Sequence, residues 1–173
     1  GSITGLNWVQ LIDIPKYHIA LLYRNQSFCM ALESGLIVFW LTKSNISTEI
    51  FDTRQQSVVV FGQEILTKDK VGLRVNLSAT WQIHDAQTVA ATVANIQALL
   101  YKELQFGLRA AVGTRTLDEL LENKNVIDST VSSYIAEKMA NSGINVLSIG
   151  VKDIILPGEI KAILTQVVQA EKS

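Results

Sequence analysis

The strongest constraint on the fold is an unbroken alternation of apolar and polar side chains near the middle of the chain. From Val71 to Ile83 every odd position is apolar, whereas every even position from Gly72 to Gln82 is polar or small. A period of two over this length indicates a long β-strand with one buried face and one wetter face. The polar pair Asp69-Lys70 just before it predicts a turn back to residues 64–67, so we expect a β-hairpin.

The part of the chain before this strand contains several short apolar runs that are separated by polar breaks. The runs at 18–23, 28–32 and 36–41 show this pattern, and Arg24-Asn25-Gln26 predicts a turn between the first two. Such spacing is typical of short antiparallel strands. Residues 10–83 are therefore predicted to form a β-rich lobe.

The periodicity becomes helical after residue 84. Asp85 and Asn95 suit the N-cap positions of two helices, and residues 116–119 have the capping-box pattern. Two buried helical stripes are predicted: Leu100, Leu104, Leu108 and Val112, and then Ile127, Val131, Tyr134, Ile135 and Met139. A strand returns at 147–151. This order predicts an α+β fold, in which helices of an α/β lobe at 84–156 pack on a sheet.

Composition excludes several classes of protein. Hydrophobic residues make up 48% of the 173 residues and charged residues 18%, with a net charge of −1; the mean hydropathy is +0.24. Disordered chains are less hydrophobic and more highly charged, and nucleic-acid-binding proteins are usually strongly basic. The longest apolar run, at 36–41, is far shorter than the roughly 18 residues of a membrane-spanning helix. We expect a soluble globular piece that binds no nucleic acid.

The two ends of the chain indicate a fragment of a longer protein. Gly1-Ser2 has the form of a scar left by tag removal, residues 3–9 are a lead-in, and the domain is expected to span 10–156. Residues 157–173 predict an amphipathic helix whose pattern still continues where the chain stops. Its apolar residues are predicted to form an oligomer interface at the start of a coiled coil: Ile160, Ile163, Leu164 and Val167.

Residues that carry chemistry are few and scattered. His18 and His84 are the only histidines, and Cys29 is the only cysteine. We expect two partly exposed strand histidines and a buried strand thiol. The acidic residues within 118–122 fit the start of a helix, where carboxylates favour the helix dipole. With no phosphate-binding loop and no nucleophile elbow in the sequence, we predict no catalytic residue, no cofactor and no metal site.

The polar face of the long strand supports an alternative function. A soluble α+β domain could bind a ligand or perform catalysis in a cleft between the two lobes, using the polar residues of that face. Such a face is more often solvated or paired with another subunit. The residues in question are Arg74, Asn76, Ser78, Thr80 and Gln82.

The apolar run at 36–41 has two interpretations. As a core strand it would be unremarkable. Alternatively it is a shallow membrane contact, because aromatic side chains favour the membrane–water interface. The predicted contact residues are Leu36, Ile37, Phe39 and Trp40.

Several segments in order resemble the SPFH domain, also called the band 7 or stomatin–prohibitin domain, and within it the bacterial slipins. Residues 52–56 resemble the family's Asp-x-Arg-x-Gln stretch, and 63–71 its Thr-Lys-Asp hairpin before the long strand. Residues 109–121 resemble its Arg-x3-Gly and Leu-x-Glu-Leu region, and 143–157 its Gly-Ile-x-Val and Lys-Asp-Ile-x-Leu-Pro segment. One departure is Glu33-Ser34-Gly35, where many members have Gly-Pro-Gly.

The resemblance implies an SPFH-like fold followed by a coiled coil, and a scaffold without catalysis. The full-length protein would be membrane-associated at the bacterial cell membrane, anchored by a hydrophobic N-terminal segment. It would assemble into homo-oligomers, organise membrane microdomains and regulate partner membrane proteins. The partners implied are membrane lipids and an NfeD-type membrane protease or another membrane protein, such as a channel.

Overall fold

The computed structural model describes residues 9–35, 37–41 and 45–156, whose strands and helices follow the predicted order. Contacts divide the chain into two units. The first comprises the chain up to Gln55, with Gln82–Val93 and Ser142–Ile144; the second comprises Gln56–Trp81, Ala94–Asn141 and the chain from Asn145 onward. These units do not coincide with the predicted lobes, because residues 56–81 group with the long helices. The outer bounds of the domain stay a prediction.

A three-stranded antiparallel sheet forms part of the first unit. β2 (His18–Arg24) lies between β3 (Ser27–Glu33) and β5 (Ile46–Asp52). Asn25 and Gln26 connect β2 to β3 with φ angles of 51° and 68°. Positive φ at both central residues is what a two-residue type I′ hairpin turn requires, so the predicted turn is confirmed.

The first unit also contains a two-stranded ribbon and a short helix. β1 (Val9–Asp13) pairs antiparallel with β4 (Ile37–Leu41), which confirms a strand in the apolar run. The helix α1 (Ala86–Thr92) begins at Asp85, whose carboxylate accepts a hydrogen bond from the Thr88 N–H as predicted for an N-cap. Ile12 packs against a small core of buried residues: Ile14, Ala20, Leu22, Leu32 and Ile46.

The second unit contains most of the long strand β8 (Gly72–Ile83). Its odd positions are buried and its even positions are not, which confirms the predicted two-faced strand. β6 (Gln56–Phe61) and β7 (Ile65–Leu66) pair antiparallel with it, and the β7 pairing is the predicted hairpin. A further strand, β9 (Ile144–Ile155), also pairs with β8.

The described part of the second unit also contains three helices: α2 (Ile96–Gly113), α3 (Leu117–Glu122) and α4 (Asn125–Met139). Asn95 caps α2 and Thr116 forms the predicted capping box with Glu119. The stripe residues of α2 and α4 are buried, apart from Tyr134, which is only partly so. No helix in the described part of the chain combines the length and apolar character needed to cross a bilayer.

Two expectations are corrected by the edges of the sheets. Cys29 is exposed, not buried, because β3 is an edge strand in which only Leu32 is buried. The last strand is longer than the predicted 147–151 and does not alternate cleanly, since Leu147 is 43% exposed although it is apolar. Periodicity within a strand indicates its two faces but not whether another element covers them.

Candidate functional site

The residues that could carry chemistry are dispersed over the described structure. His18 lies in β2, where its Nδ1 donates to the Lys16 carbonyl at 2.6 Å and its Nε2 lies 4.0 Å from Asp52 Oδ2. His84 is exposed just after β8. Within residues 9–35, 37–41 and 45–156, no three His, Cys, Asp or Glu side chains lie together as a metal site would need.

In the first unit, the segment Asp52-Thr53-Arg54 forms a turn that is held by hydrogen bonds between Asp52 and Arg54. The Arg54 guanidinium donates to both carboxylate oxygens of Asp52, with Nη2–Oδ2 at 2.6 Å, and lies 5.5 Å from the centre of the Tyr17 ring. These side-chain bonds, and a further one from the Arg54 backbone N–H, hold the pKa of Asp52 well below its usual range. The carboxylate is therefore an ionised structural acceptor and not a proton donor at neutral pH.

Thr53, which lies between Asp52 and Arg54, connects this turn to Tyr17. Thr53 donates from its N–H and its hydroxyl to the Tyr17 carbonyl, at 2.8 and 2.7 Å. Tyr17 has a φ of 63°, in the left-handed region. Gln82 Nε2 in turn donates to the Thr53 carbonyl at 2.8 Å. The side chain of Gln82, on the polar face of β8, therefore stabilises this turn.

A second polar cluster joins the β7–β8 hairpin to α3 in the second unit. The Thr67 hydroxyl is buried; it donates to Asp69 and accepts from the Val71 N–H at 3.0 Å. Asp69 Oδ1 also accepts from the Leu117 N–H at 3.2 Å. The bonds from Thr67 and Leu117 lower the pKa of Asp69. The segment Thr67-Lys68-Asp69 therefore links the β7–β8 hairpin turn by hydrogen bonds to Leu117, the first residue of α3.

The register of the β1–β4 ribbon divides the apolar run between two faces. Leu11, which is 59% exposed, pairs with Phe39, whereas Ile12, which packs on the core, pairs with Val38. Trp40 pairs with Gln10. Residues directly opposite each other in an antiparallel pair share a face. Phe39 therefore lies on the face of the exposed Leu11, and Trp40 on the face of Ile12.

The structure has two concavities whose lining does not include the polar face of β8. One of about 270 Å³ lies between β1 and β5 and is lined by Leu11, Ile12, Asp13, Ile46, Thr48 and Ile50. Another of about 330 Å³ lies between the start of α4 and β9, and is lined by Lys124, Asn125, Asp128, Val151, Lys152, Asp153 and Ile154. Four of the six residues that line the first are aliphatic, and one of them, Ile50, is 47% exposed. The second offers two ammonium and two carboxylate groups, so it favours neither sign of charge.

The predicted site residues are only partly described. Ile37, Phe39 and Trp40 lie in β4, while Leu36 is outside the described residues. The predicted oligomer residues of the terminal helix, from Ile160 to Val167, also lie outside them. The sequence did not predict that Leu11 and Ile50 are exposed. It indicated only that they lie in short strands near the start of the chain.

Comparison with known proteins identifies the family. The profile described as "SPFH domain / Band 7 family" matches residues 12–173. The chain belongs to the SPFH / Band 7 family. Members of this family are generally membrane-associated and non-enzymatic.

Curated relatives of this SPFH chain include several stomatins. It is 25% identical to Stomatin-2 of Caenorhabditis elegans over 98% of this chain and 48% of that protein. It is 28% identical to a stomatin homolog of Pyrococcus horikoshii, over 92% of this chain and 59% of that protein. It is 23% identical to mouse Stomatin, over 95% of this chain and 58% of that protein. The chain therefore spans less than two thirds of these relatives' length.

Proposed function

We propose that this chain is a scaffold domain of a membrane-associated, stomatin-like protein and performs no catalysis. The whole protein would oligomerise and organise membrane microdomains or regulate a partner membrane protein, such as an NfeD-type protease or a channel. The observation that carries the proposal is the apolar surface of the first unit. Leu11 is 59% exposed on the β1–β4 ribbon, and Ile50, which lines the same concavity, is 47% exposed.

Two further observations support this proposal. Relatives that match this chain over most of its length include proteins named stomatins. The carboxylates of Asp52 and Asp69 accept hydrogen bonds within the fold and have lowered pKa values. A general acid needs instead a pKa near the working pH.

The register sharpens the proposed membrane contact. We place lipid against the face of the ribbon that contains Leu11 and Phe39, with Ile37 and Leu41 on the same face by alternation. Val38 and Trp40 lie on the other face, with Ile12. Phe39 should therefore contribute more to membrane binding than Trp40.

A vesicle co-sedimentation series tests this contact. Phe39→Ser and Leu11→Ser should each weaken binding to phosphatidylcholine–phosphatidylglycerol vesicles, whereas Trp40→Ser should change it little. Full burial of such a side chain in an apolar phase is worth about 1.5–3 kcal/mol. Each substitution should thus weaken binding about tenfold or more.

Phe61→Ser is the matched control for this series. Phe61 is also a strand phenylalanine and is 67% exposed, but it lies in the second unit. The Phe61→Ser substitution should leave vesicle binding unchanged. Equal losses for Phe39→Ser and Phe61→Ser, or a larger loss for Trp40→Ser, would contradict the assignment of this face to lipid.

Assembly through the terminal helix is the second half of the proposal. Replacing Ile163 and Val167 by Glu should leave the fold intact and disrupt the oligomer, because charges would enter an apolar seam. Light scattering of a protein extended past Ser173 measures the oligomer, and circular dichroism checks the fold. An unchanged oligomer size would refute the proposed role of this helix.

A further inference from the structure

The outer edge of β6 is open in the described part of the second unit. β6 pairs with β8 on one side, and within the described residues no strand pairs with it on the other. The Gly62 N–H, just after β6, donates to the Val75 carbonyl at 3.1 Å, so this N–H points towards β8. Because the backbone groups of successive residues point to opposite sides of a strand, those of Ser57, Val59 and Phe61 point away from β8.

A contact from α2 supports this direction independently. The Tyr101 hydroxyl donates to the Phe61 carbonyl oxygen at 3.3 Å, and it can do so because this oxygen is turned away from β8. Bonds between a hydroxyl and an oxygen are typically about 2.7–2.8 Å long, so this one is weak and easily replaced. Among the described residues, the outward N–H and carbonyl groups of Ser57 and Val59 have no hydrogen-bond partner.

The sequence of β6 lacks the features that usually protect the edge of a sheet, which are bulges, charges and proline. β3 has a bulge at Cys29 and β5 carries Glu49 at its centre, while in β9 the N–H groups of Ile144 and Val151 bond to side chains. β6 contains no charge and no proline, and it pairs with β8 without a register shift. Six uncharged residues of high β-propensity are typical of segments that accept a further strand.

Apolar side chains flank this edge on both faces of the sheet. Val58 and Val60 are buried on the face against which α2 packs, and Tyr101 of that helix reaches the edge from the same side. On the other face Phe61 is 67% exposed. A strand beside β6 would alternate its side chains between Tyr101 on one face and Val59 with Phe61 on the other. Such neighbours favour aromatic and β-branched partners.

We infer that the edge of β6 at 57–61 binds an extended, uncharged and apolar peptide segment of a partner protein. The segment adds a strand to the sheet, which is the mode called β-augmentation, and takes the Phe61 carbonyl over from Tyr101. A helix cannot satisfy the edge in this way because its backbone groups bond to one another, and an acyl chain has no such groups. The inference goes beyond the proposed membrane contact, which lies in the first unit.

The size of the edge favours a peptide over a second copy of this chain. Six residues make an edge about 20 Å long, and a sheet with its side chains is about 10 Å thick. Pairing through this edge alone would bury about 400 Å² in total, whereas a stable interface between two folded proteins buries about 1,200–2,000 Å². A peptide instead follows both faces of the edge, and its backbone supplies the hydrogen bonds.

Substitution of Val59 tests the edge. The probe is a fluorescein-labelled peptide of alternating Val and Thr with a Lys at each end, and fluorescence polarisation measures its binding. Val59→Pro should weaken binding about tenfold or more, because proline has no N–H and its ring obstructs the added strand. The fold should persist, as circular dichroism checks, since this N–H lies outside the β6–β8 ladder. Val59→Thr keeps the N–H and is the matched control; equal binding by the two variants would overturn the proposal.

Methylated peptides test the backbone pairing without any change to the protein. A probe methylated on every backbone nitrogen is more apolar but offers no N–H, so it should not bind. A probe methylated on alternate nitrogens keeps the N–H groups of one edge and should still bind. Undiminished binding of the fully methylated probe would show adhesion to an apolar surface and would overturn the proposal.

Tyr101→Phe gives an expected change of opposite sign. The variant frees the Phe61 carbonyl for the peptide and should strengthen binding about twofold to tenfold. An unchanged or lowered affinity, which a merely structural hydrogen bond would produce, would overturn the proposal.

Two other occupants of the edge or binding places of the probe are tested directly. A dimer in analytical ultracentrifugation that Val59→Pro dissociates and the probe does not would assign the edge to a second copy and overturn the proposal. Leu11→Ser, which tests the lipid contact of the first unit, should leave probe binding unchanged. Equal losses in Leu11→Ser and Val59→Pro would place the probe elsewhere and overturn the proposal too.

Discussion

Alanine substitution at four glycines can separate two destabilising effects that often occur together. One is a left-handed backbone conformation, and the other is steric overlap of the added Cβ. Gly143 has both: its φ is 82°, and a Cβ there would lie 2.3 Å from the Asp85 carbonyl oxygen. Gly35 has a φ of 85° with open space around it. Gly62 has no positive φ, but a Cβ there would lie 2.2 Å from the Val75 carbonyl oxygen. Gly150 has neither.

The expected costs of alanine follow from these geometries. A left-handed φ costs an alanine about 1–2 kcal/mol, so Gly35→Ala should lose that much free energy of unfolding. Overlap with a rigid backbone oxygen costs about 1–3 kcal/mol, which is the expectation for Gly62→Ala. Gly143→Ala should lose about 2–5 kcal/mol, the sum of both. Gly150→Ala should gain about 0.4–1 kcal/mol, since it restricts the unfolded chain.

Urea unfolding followed by far-ultraviolet circular dichroism measures all four variants. With an m value of about 2 kcal/mol/M, the midpoint of Gly143→Ala should fall by about 1–2.5 M. Gly35 and Gly143 both belong to the first unit, so their comparison is direct. Equal midpoints for Gly35→Ala and Gly143→Ala would show that the backbone at Asp85 moves away freely, and would refute the additive reasoning.

Three further outcomes follow from single contacts. Leu104→Ala should lose about 2–5 kcal/mol in the same assay, because Leu104 is fully buried in α2; a loss below that of an exposed leucine, Leu121→Ala, would contradict its core role. Thr116→Ala should lose about 1 kcal/mol, since it removes the capping box of α3, whereas Thr116→Ser should keep most of it. Asp52 has a lowered folded pKa, so its contribution is present above the unfolded value of about 3.9 and is lost as the pH falls below it. Asp52→Asn should therefore flatten the decline of the urea midpoint between about pH 5 and pH 2, and an unchanged decline would refute the role of its bonds to Arg54.

Local pattern predicted much of the fold because the relevant forces are local. The β8 alternation, the caps at Asp85 and Asn95, and the capping box at Thr116 each depend on residues within a few positions. All four appear in the structure. The α+β class followed from the order of these elements.

What the sequence did not predict depends on neighbours distant along the chain. Cys29 is exposed because, among the described strands, β3 has a partner on one side only. Leu11 is exposed because no described residue covers its face of the ribbon. The bond from Leu117 to Asp69 joins residues 48 apart. No periodicity encodes such a pairing, and the predicted membrane and terminal-helix contacts stay predictions for the same reason.

The chain crosses repeatedly between its two units, and this limits how the protein can be divided into fragments. It passes from one unit to the other at 55/56, 81/82, 93/94, 141/142 and 144/145. No single stretch of gene therefore encodes either unit, so a truncation designed to isolate one would remove strands from both. A protease that nicks the exposed loop at 123–124 would leave two fragments, each containing parts of both units. Such fragments are suited to a split-protein reporter, because β9 in the second fragment pairs with β8 in the first.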